Sequence, residues 1–256
     1  MKFVIQKIDN EIRHDFAFTL LEAVRFHNWL EHGHNIHVKY VNTKEDDTTF
    51  MFKPMHKTYV PIGSVEFVSA HLYQFYGLTP KPINVPESLY PLAQREIFIG
   101  TNRDLDGLQR KWFVKSMDKI KGLVKVIDNP TLLSVPPGGV EKYQISEYIN
   151  IDSEWRAFVY KGKLVGLQNY VGEFTEFPDI QVIRKMIKMY KDAPIAYTLD
   201  VGINYRSTWE MVLNEYNTFV IEVHDFFSCG LYGFADLAIL PNMFYRAYQS
   251  IIKNKK

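Results

Sequence analysis

Two late segments constrain this chain most, because each sets a carboxylate into a strand whose neighbours are apolar. In Tyr197-Thr198-Leu199-Asp200-Val201, alternation places Tyr197, Leu199 and Val201 on one face and Asp200 on the other. In Phe219-Val220-Ile221-Glu222-Val223-His224, the residues Phe219, Ile221 and Val223 share a face, while Glu222 and His224 project oppositely with Val220. Where two such faces meet, the carboxylates repel by roughly 4 kcal/mol at about 4 Å and an effective dielectric of about 20. A hard cation between them removes that penalty, and magnesium prefers oxygen ligands. The competing reading leaves Asp200 and Glu222 on separate exposed sheet edges that never meet.

The rest of the chain reads as mixed helix and strand. Lys2 to Ile8 forms a first strand, and Phe16 to Leu30 carries apolar residues at helical spacing. His34 to Val41 alternates as a strand, and Lys44-Glu45-Asp46-Asp47 is a solvated turn. Ser64 caps a helix that runs to Tyr76 and stops at Gly77. Three prolines between Pro80 and Pro86 keep that piece extended, and the stretch from there to about Arg110 reads as a connection between two lobes. Beyond it come strands at Lys111 to Lys115 and Tyr143 to Ile149, then a hairpin from Trp155 to Tyr170 turning at Lys161-Gly162-Lys163. A helix with Ile180, Ile183, Ile187 and Tyr190 on one face follows, then the two acidic strands, a Gly-rich loop and a helical tail. Strict βαβ alternation is missing, so the class is α+β.

Composition excludes several partners. Thirty basic residues against 29 acidic ones give no electrostatic reason for a nucleic-acid or acidic-membrane partner. Aromatics at 15% favour sheets with thick cores. The single Cys229 excludes an intrachain disulfide and a cysteine-rich zinc site, as suits a reducing compartment. The apolar run Phe3-Val4-Ile5 meets charge at once and is too short for a signal peptide or a membrane span. The expectation is a soluble, cytoplasmic protein.

Further chemistry is spread over three segments. Lys115 ends the run Trp112-Phe113-Val114-Lys115, and either snorkels to solvent or presents its ammonium to a phosphate. Lys121 and Gly122 follow, suited to a flap over phosphates but without the Gly-x-x-x-x-Gly-Lys-Ser/Thr pattern of a P-loop. The densest polar cluster runs from Ser146 to Val159, with Glu147, Glu154 and Arg156 among apolar residues. It offers an apolar slot for a base, a carboxylate for ribose hydroxyls and a guanidinium for phosphate. The blander account is a local Glu154–Arg156 pair on one strand face, worth about 0–1 kcal/mol when exposed.

Taken in order, these segments resemble the ATP-grasp superfamily, and most closely its R2K clade. The matching pieces begin at Val60-Pro61-Ile62-Gly63-Ser64 and Trp112-Phe113-Val114-Lys115 with Lys121-Gly122. They continue through Ser146-Glu147, Glu154-Trp155-Arg156-Ala157-Phe158-Val159 and Asn169-Tyr170 to Leu199-Asp200-Val201-Gly202, Ile221-Glu222-Val223-His224-Asp225 and Gly230-Leu231-Tyr232-Gly233. The resemblance implies an ATP-grasp domain of two α+β subdomains over 101–256, behind a smaller N-terminal α/β pre-ATP-grasp domain over 1–100. It implies ATP and Mg2+ as cofactors. Lys115 is then the lysine that touches phosphates, Glu147 and the backbone near Ile149 the adenine hinge, and Glu154 the ribose acceptor. Arg156 faces phosphate or the acyl substrate, and Asp200 and Glu222 bind magnesium.

Two departures stand out. His224 occupies the position where the superfamily usually carries Asn, and imidazole is a poor magnesium ligand, so His224 contacts the metal's water or Asp225 takes over. No lysine fits the second phosphate contact, which leaves Arg95 or Arg103 to serve. The implied reaction is phosphoryl transfer from ATP to a small-molecule or peptide carboxylate, followed by attack of an amine. A nucleotide-binding module without turnover, or a small-molecule kinase, are the rivals.

Overall fold

The computed structural model describes residues 1–30, 36–45, 57–101, 104, 110–128, 141–206 and 215–253. Arg103, the distal half of the turn at 44–47 and the start of the strand expected from His34 lie outside them. The chain forms two compact units, one of Met1–Pro80, Pro194–Tyr197 and Asp225–Lys256, the other of Lys81–Ala193 and Thr198–His224.

The first unit is built on a three-stranded parallel sheet, in the order β2 (His37–Thr43), β1 (Lys2–Ile8), β3 (Val60–Ile62). Phe3, Val4 and Ile5 are consecutive and fully buried, as in a strand covered on both faces. The sequence pattern does not predict β3, since three residues with Pro61 in the middle make a weak signal. Pro61 is tolerated because β3 ends the sheet order, where one side of the strand needs no ladder donor. Helices α1 (Asp15–Leu30) and α2 (Val65–Tyr76) follow β1 and β3. The Ser64 hydroxyl accepts from the Phe67 N–H at 3.1 Å, and Gly77 adopts φ 60° to end α2, as the capping residues require. The C-terminal helix, α4 (Leu240–Lys253), belongs to this unit and buries Met243, Phe244, Ala247 and Tyr248.

The second unit carries two antiparallel-rich sheets. One has the order β4 (Ile97–Gly100), β7 (Tyr143–Glu147), β5 (Trp112–Ser116), β6 (Val124–Ile127), with all its pairs antiparallel. The other has the order β11 (Glu215–Asp225), β10 (Ala196–Arg206), β8 (Ser153–Tyr160), β9 (Lys163–Gly172). Helix α3 (Ile180–Met189) packs on β9 with Ile183, Met186 and Ile187 buried.

The proline-rich piece is not a linker. Asn84 and Val85 are 1% and 4% exposed. The Gln144 side chain accepts from the Val85 N–H at 2.9 Å and donates to the Val85 carbonyl at 2.8 Å, while the Val223 N–H donates to the Asn84 carbonyl at 2.9 Å. Backbone that prolines hold extended still carries donors and acceptors between them, so it lies as a rib against both sheets of this unit. A short 3-10 helix (Glu87–Leu92) and β4 then occupy much of the described part of the span expected to be a connection.

Candidate functional site

The site is assembled from five strands of the second unit. Lys115 comes from β5, Glu154 and Arg156 from β8, Tyr170 from β9, Asp200 from β10, and Glu222 with His224 from β11. Two-residue spacing puts Glu154 and Arg156 on one face of β8, and Glu222 and His224 on one face of β11. The two acids do meet. Asp200, Glu222 and His224 each offer an atom within 4.8 Å of the others.

Cations already surround those acids. Arg156 donates to Asp200 through Nε to Oδ1 and Nη2 to Oδ2, each at 2.7 Å. Lys115 Nζ pairs with Glu222 Oε2. His224 Nε2 lies 2.6 Å from Glu222 Oε1 and 3.4 Å from Asp200 Oδ2. Burial on its own would lower the His224 imidazole, but the Asp200 and Glu222 carboxylates outweigh it and lift the group to about 9. Burial likewise raises Glu222, and His224 with Lys115 bring it down to about 2. Asp200 is held low against the same burial by Arg156 and His224. The charge conflict legible in the sequence is thus real, and neighbouring cations resolve part of it.

Beside the cluster lies a cavity of about 400 Å³. Phe113, Val126, Ile149 and Ile151 give it apolar walls, and Glu147, Glu154, Tyr170 and Glu222 give it a polar rim. That is the profile of a small-molecule site: an apolar slot with a few convergent polar groups. Glu147 carries an exposed ion pair with Arg110 at 3.2 Å. Glu154 takes the Tyr170 hydroxyl at 2.6 Å and Arg156 reaches Asp200, so both side chains find partners beyond their own strand.

Two other expected phosphate contacts, Arg95 and Lys121, stand outside the cluster of acids and cations. Arg95 lines the cavity, yet its guanidinium donates to the carbonyls of Ala93, Val220 and Ile221 at 3.1, 2.7 and 3.0 Å. It props up β11, and burial lowers its pKa to about 10 despite Glu222 nearby. Lys121 is exposed in the turn after β5, at φ 57°. The sequence pattern assigns Tyr170 no role, although Asn169-Tyr170 is among the matching pieces. Its position depends on a bulge in β9, which alternation does not reveal.

The two carboxylates suit a hard divalent cation, since their oxygens are the donors magnesium takes. Magnesium takes oxygen rather than nitrogen donors, so His224 suits a counter-charge or a contact to the metal's water beside the two acids better than a direct ligand.

Two α+β sheets that present opposed acids, a strand lysine and an apolar slot define an ATP-grasp architecture. D-alanine–D-alanine ligase from Bacillus anthracis has a similar fold, with a TM-score of 0.52 at 11% identity over 100% of both chains. N5-carboxyaminoimidazole synthetase from Staphylococcus aureus gives 0.50 at 12% identity, covering 88% of this chain and 71% of its own. At sequence level, the ATP-grasp domain of the R2K clade, family 2, matches residues 92–241, and the chain belongs to that family. No curated protein is similar to it in sequence.

Proposed function

We propose that this protein is an ATP- and magnesium-dependent ligase, which activates a carboxylate as an acyl phosphate for attack by an amine. The observation that carries the reading is the convergence of Lys115, Glu154, Asp200 and Glu222 beside one apolar-walled cavity. Adenine enters between Phe113 and Ile149, with its edge on the backbone at 147–149. Ribose hydroxyls donate to Glu154. The phosphates run toward Lys115, with Arg95 adding positive charge from the cavity wall and Lys121 in the turn beyond β5. Asp200 and Glu222 hold magnesium, which neutralises phosphate charge when bound.

The residues themselves supply positioning and charge, which phosphoryl transfer needs more than a covalent nucleophile. Lys115 leaves Glu222 for phosphate as nucleotide enters. Arg156 keeps Asp200 oriented through its two parallel hydrogen bonds. The carboxylate and the amine are small molecules or peptides. D-alanine–D-alanine ligase shares the fold, which supports amide formation without identifying either substrate. A cytoplasmic location suits an enzyme that consumes ATP. No helix among the described residues is long and apolar enough to cross a membrane.

A second reading, nucleotide binding without turnover, draws on the same cations. Arg156, Lys115 and His224 already occupy the acids that magnesium needs. One measurement tests the nucleotide site that the readings share, and a second separates them. Mg-ATP at 100 times its dissociation constant adds about 2.7 kcal/mol to stability, seen as a rise in the unfolding temperature. ADP release in the presence of pooled amino acids and short peptides, with amide products by mass, supports the ligase. Binding without ADP release for any acceptor supports the silent module, and a phosphorylated end product supports a kinase. No thermal shift with Mg-ATP sinks all three.

A further inference from the structure

Tyr170 sits where the hairpin β8–β9 breaks register. Glu154 pairs with Val171 and Trp155 with Asn169, so Tyr170 is the extra residue of a β-bulge. Bulges re-aim side chains, and they recur next to functional sites. Asn169 stabilises this one: its Nδ2 reaches the Ser153 hydroxyl at 3.0 Å, the Glu154 carbonyl at 3.2 Å and the Val171 carbonyl at 2.9 Å. The bulge turns the Tyr170 ring onto the cavity wall and under Arg156, whose guanidinium carbon lies 5.4 Å from the ring centroid. The phenol then meets two acids at once, Glu154 Oε2 at 2.6 Å and Asp200 Oδ2 at 3.3 Å.

A phenol has one proton to give. Two carboxylates compete for it here, and the shorter contact holds it. We infer that Tyr170 is a positioning residue that couples the ribose end of the site to its metal end, by dividing one hydroxyl proton between Glu154 and Asp200. This rests on the nucleotide site proposed above. With Glu154 Oε2 occupied by Tyr170, its second oxygen is the one presented to a ribose hydroxyl, in a fixed orientation. When a ribose hydroxyl donates to Glu154, the phenol proton is shared more with Asp200, which changes how that acid is offered to magnesium. Ribose recognition and magnesium affinity therefore move together.

The test uses the intact protein and calorimetric binding, so no acceptor substrate is needed. ATP and 2′,3′-dideoxy-ATP are titrated at fixed magnesium, and ATP is titrated again over a magnesium series. Wild type should prefer ATP by about tenfold, the worth of one hydrogen bond to a charged group. Tyr170→Phe should reduce that preference to about twofold and shift the magnesium midpoint for nucleotide binding by at least about threefold. Glu154→Gln, which leaves the tyrosine and the bulge in place, should also shift the magnesium midpoint, although it holds no metal.

Weaker binding of both nucleotides by Tyr170→Phe, with the wild-type ratio and magnesium midpoint kept, would show a merely structural tyrosine and overturn the inference. An unmoved magnesium midpoint in Glu154→Gln overturns the coupling even when Tyr170→Phe fails to fold. Wild type that binds both nucleotides equally removes Glu154 as ribose acceptor, and the inference with it, but leaves a nucleotide site standing. Wild type that binds neither ends the site reading itself.

Discussion

Arg156 grips Asp200 side-on, Nε to Oδ1 and Nη2 to Oδ2, both at 2.7 Å, with the two side chains 6% and 2% exposed. Such a pair gains little net stability over apolar packing, but removing one partner strands the other charge. Arg156→Met is therefore expected to lower the unfolding free energy by about 3–5 kcal/mol. Adding Asp200→Asn to that variant should recover part of the loss, because the buried carboxylate left with only His224 and Tyr170 beside it is then removed. Urea unfolding of the two single variants and the double variant measures this. Equal stability of Arg156→Met and wild type would mean the buried pair is absent.

Glu222 is shared between Lys115 and His224, and its low pKa of about 2 keeps it ionised at any working pH. Glu222→Gln keeps the shape and removes the charge. The expected result is Mg-ATP binding weakened about tenfold or more, with metal-free ATP binding little changed or tighter, since Lys115 loses its internal partner. Calorimetry with and without chelator checks both halves. Wild-type magnesium dependence in this variant would remove Glu222 from the metal site.

The first unit holds a titrating group of a different kind. His71 is fully buried and its Nδ1 lies 2.6 Å from the Tyr248 hydroxyl. Burial lowers its pKa from 6.5 to about 4. Below pH 6.5 the unfolded chain binds a proton that the folded chain refuses, so folding weakens as the pH falls from about 6.5 to about 4. The lost stability is about 3 kcal/mol, since each pH unit across that window costs roughly 1.4 kcal/mol. His71→Gln should flatten that limb of the stability curve in urea titrations at pH 4 to 7. An unchanged slope would assign acid sensitivity to other groups.

Much of the fold is legible in the sequence because it rests on local chemistry. The Ser64 cap, the Gly77 stop and the Lys161-Gly162 turn are each set by residues within a few positions of one another. The two acidic strands are legible for the same reason, since alternation assigns faces without knowledge of partners. What alternation cannot give is which strand lies beside which. That is why the sequence leaves Lys115 between solvent and phosphate when its partner is Glu222, 107 residues away. It is also why alternation alone does not reveal that the Nε–Nη2 edge of Arg156, which the resemblance aims at phosphate or the acyl substrate, is held by Asp200. The rib at 84–85 reads as a connector because prolines signal extension, and extension looks alike in a linker and in a buried brace. Tyr170 escapes notice because its aim comes from a one-residue bulge, which leaves no period in the sequence.

Two glycines of the same hairpin let the local strain be separated from the site. Both require positive φ, 69° at Gly162 and 78° at Gly172. Around Gly162 an added Cβ meets nothing within 4 Å, so Gly162→Ala bears only the backbone cost of a left-handed residue, about 1–2 kcal/mol. At Gly172 the added atom would stand 2.1 Å from the Asp152 carbonyl oxygen and 2.8 Å from the Ser153 Cα. Those are backbone atoms that cannot rotate aside, so the strand must shift at the point where it delivers Glu154. Gly172→Ala should therefore destabilise more than Gly162→Ala and should also weaken ATP binding by about tenfold or more, as misplaced site groups do. Gly162→Ala should bind ATP as wild type does. Urea unfolding and nucleotide calorimetry on the two variants make the comparison. Equal nucleotide affinity in both would mean that the start of β8 does not position the ribose acceptor.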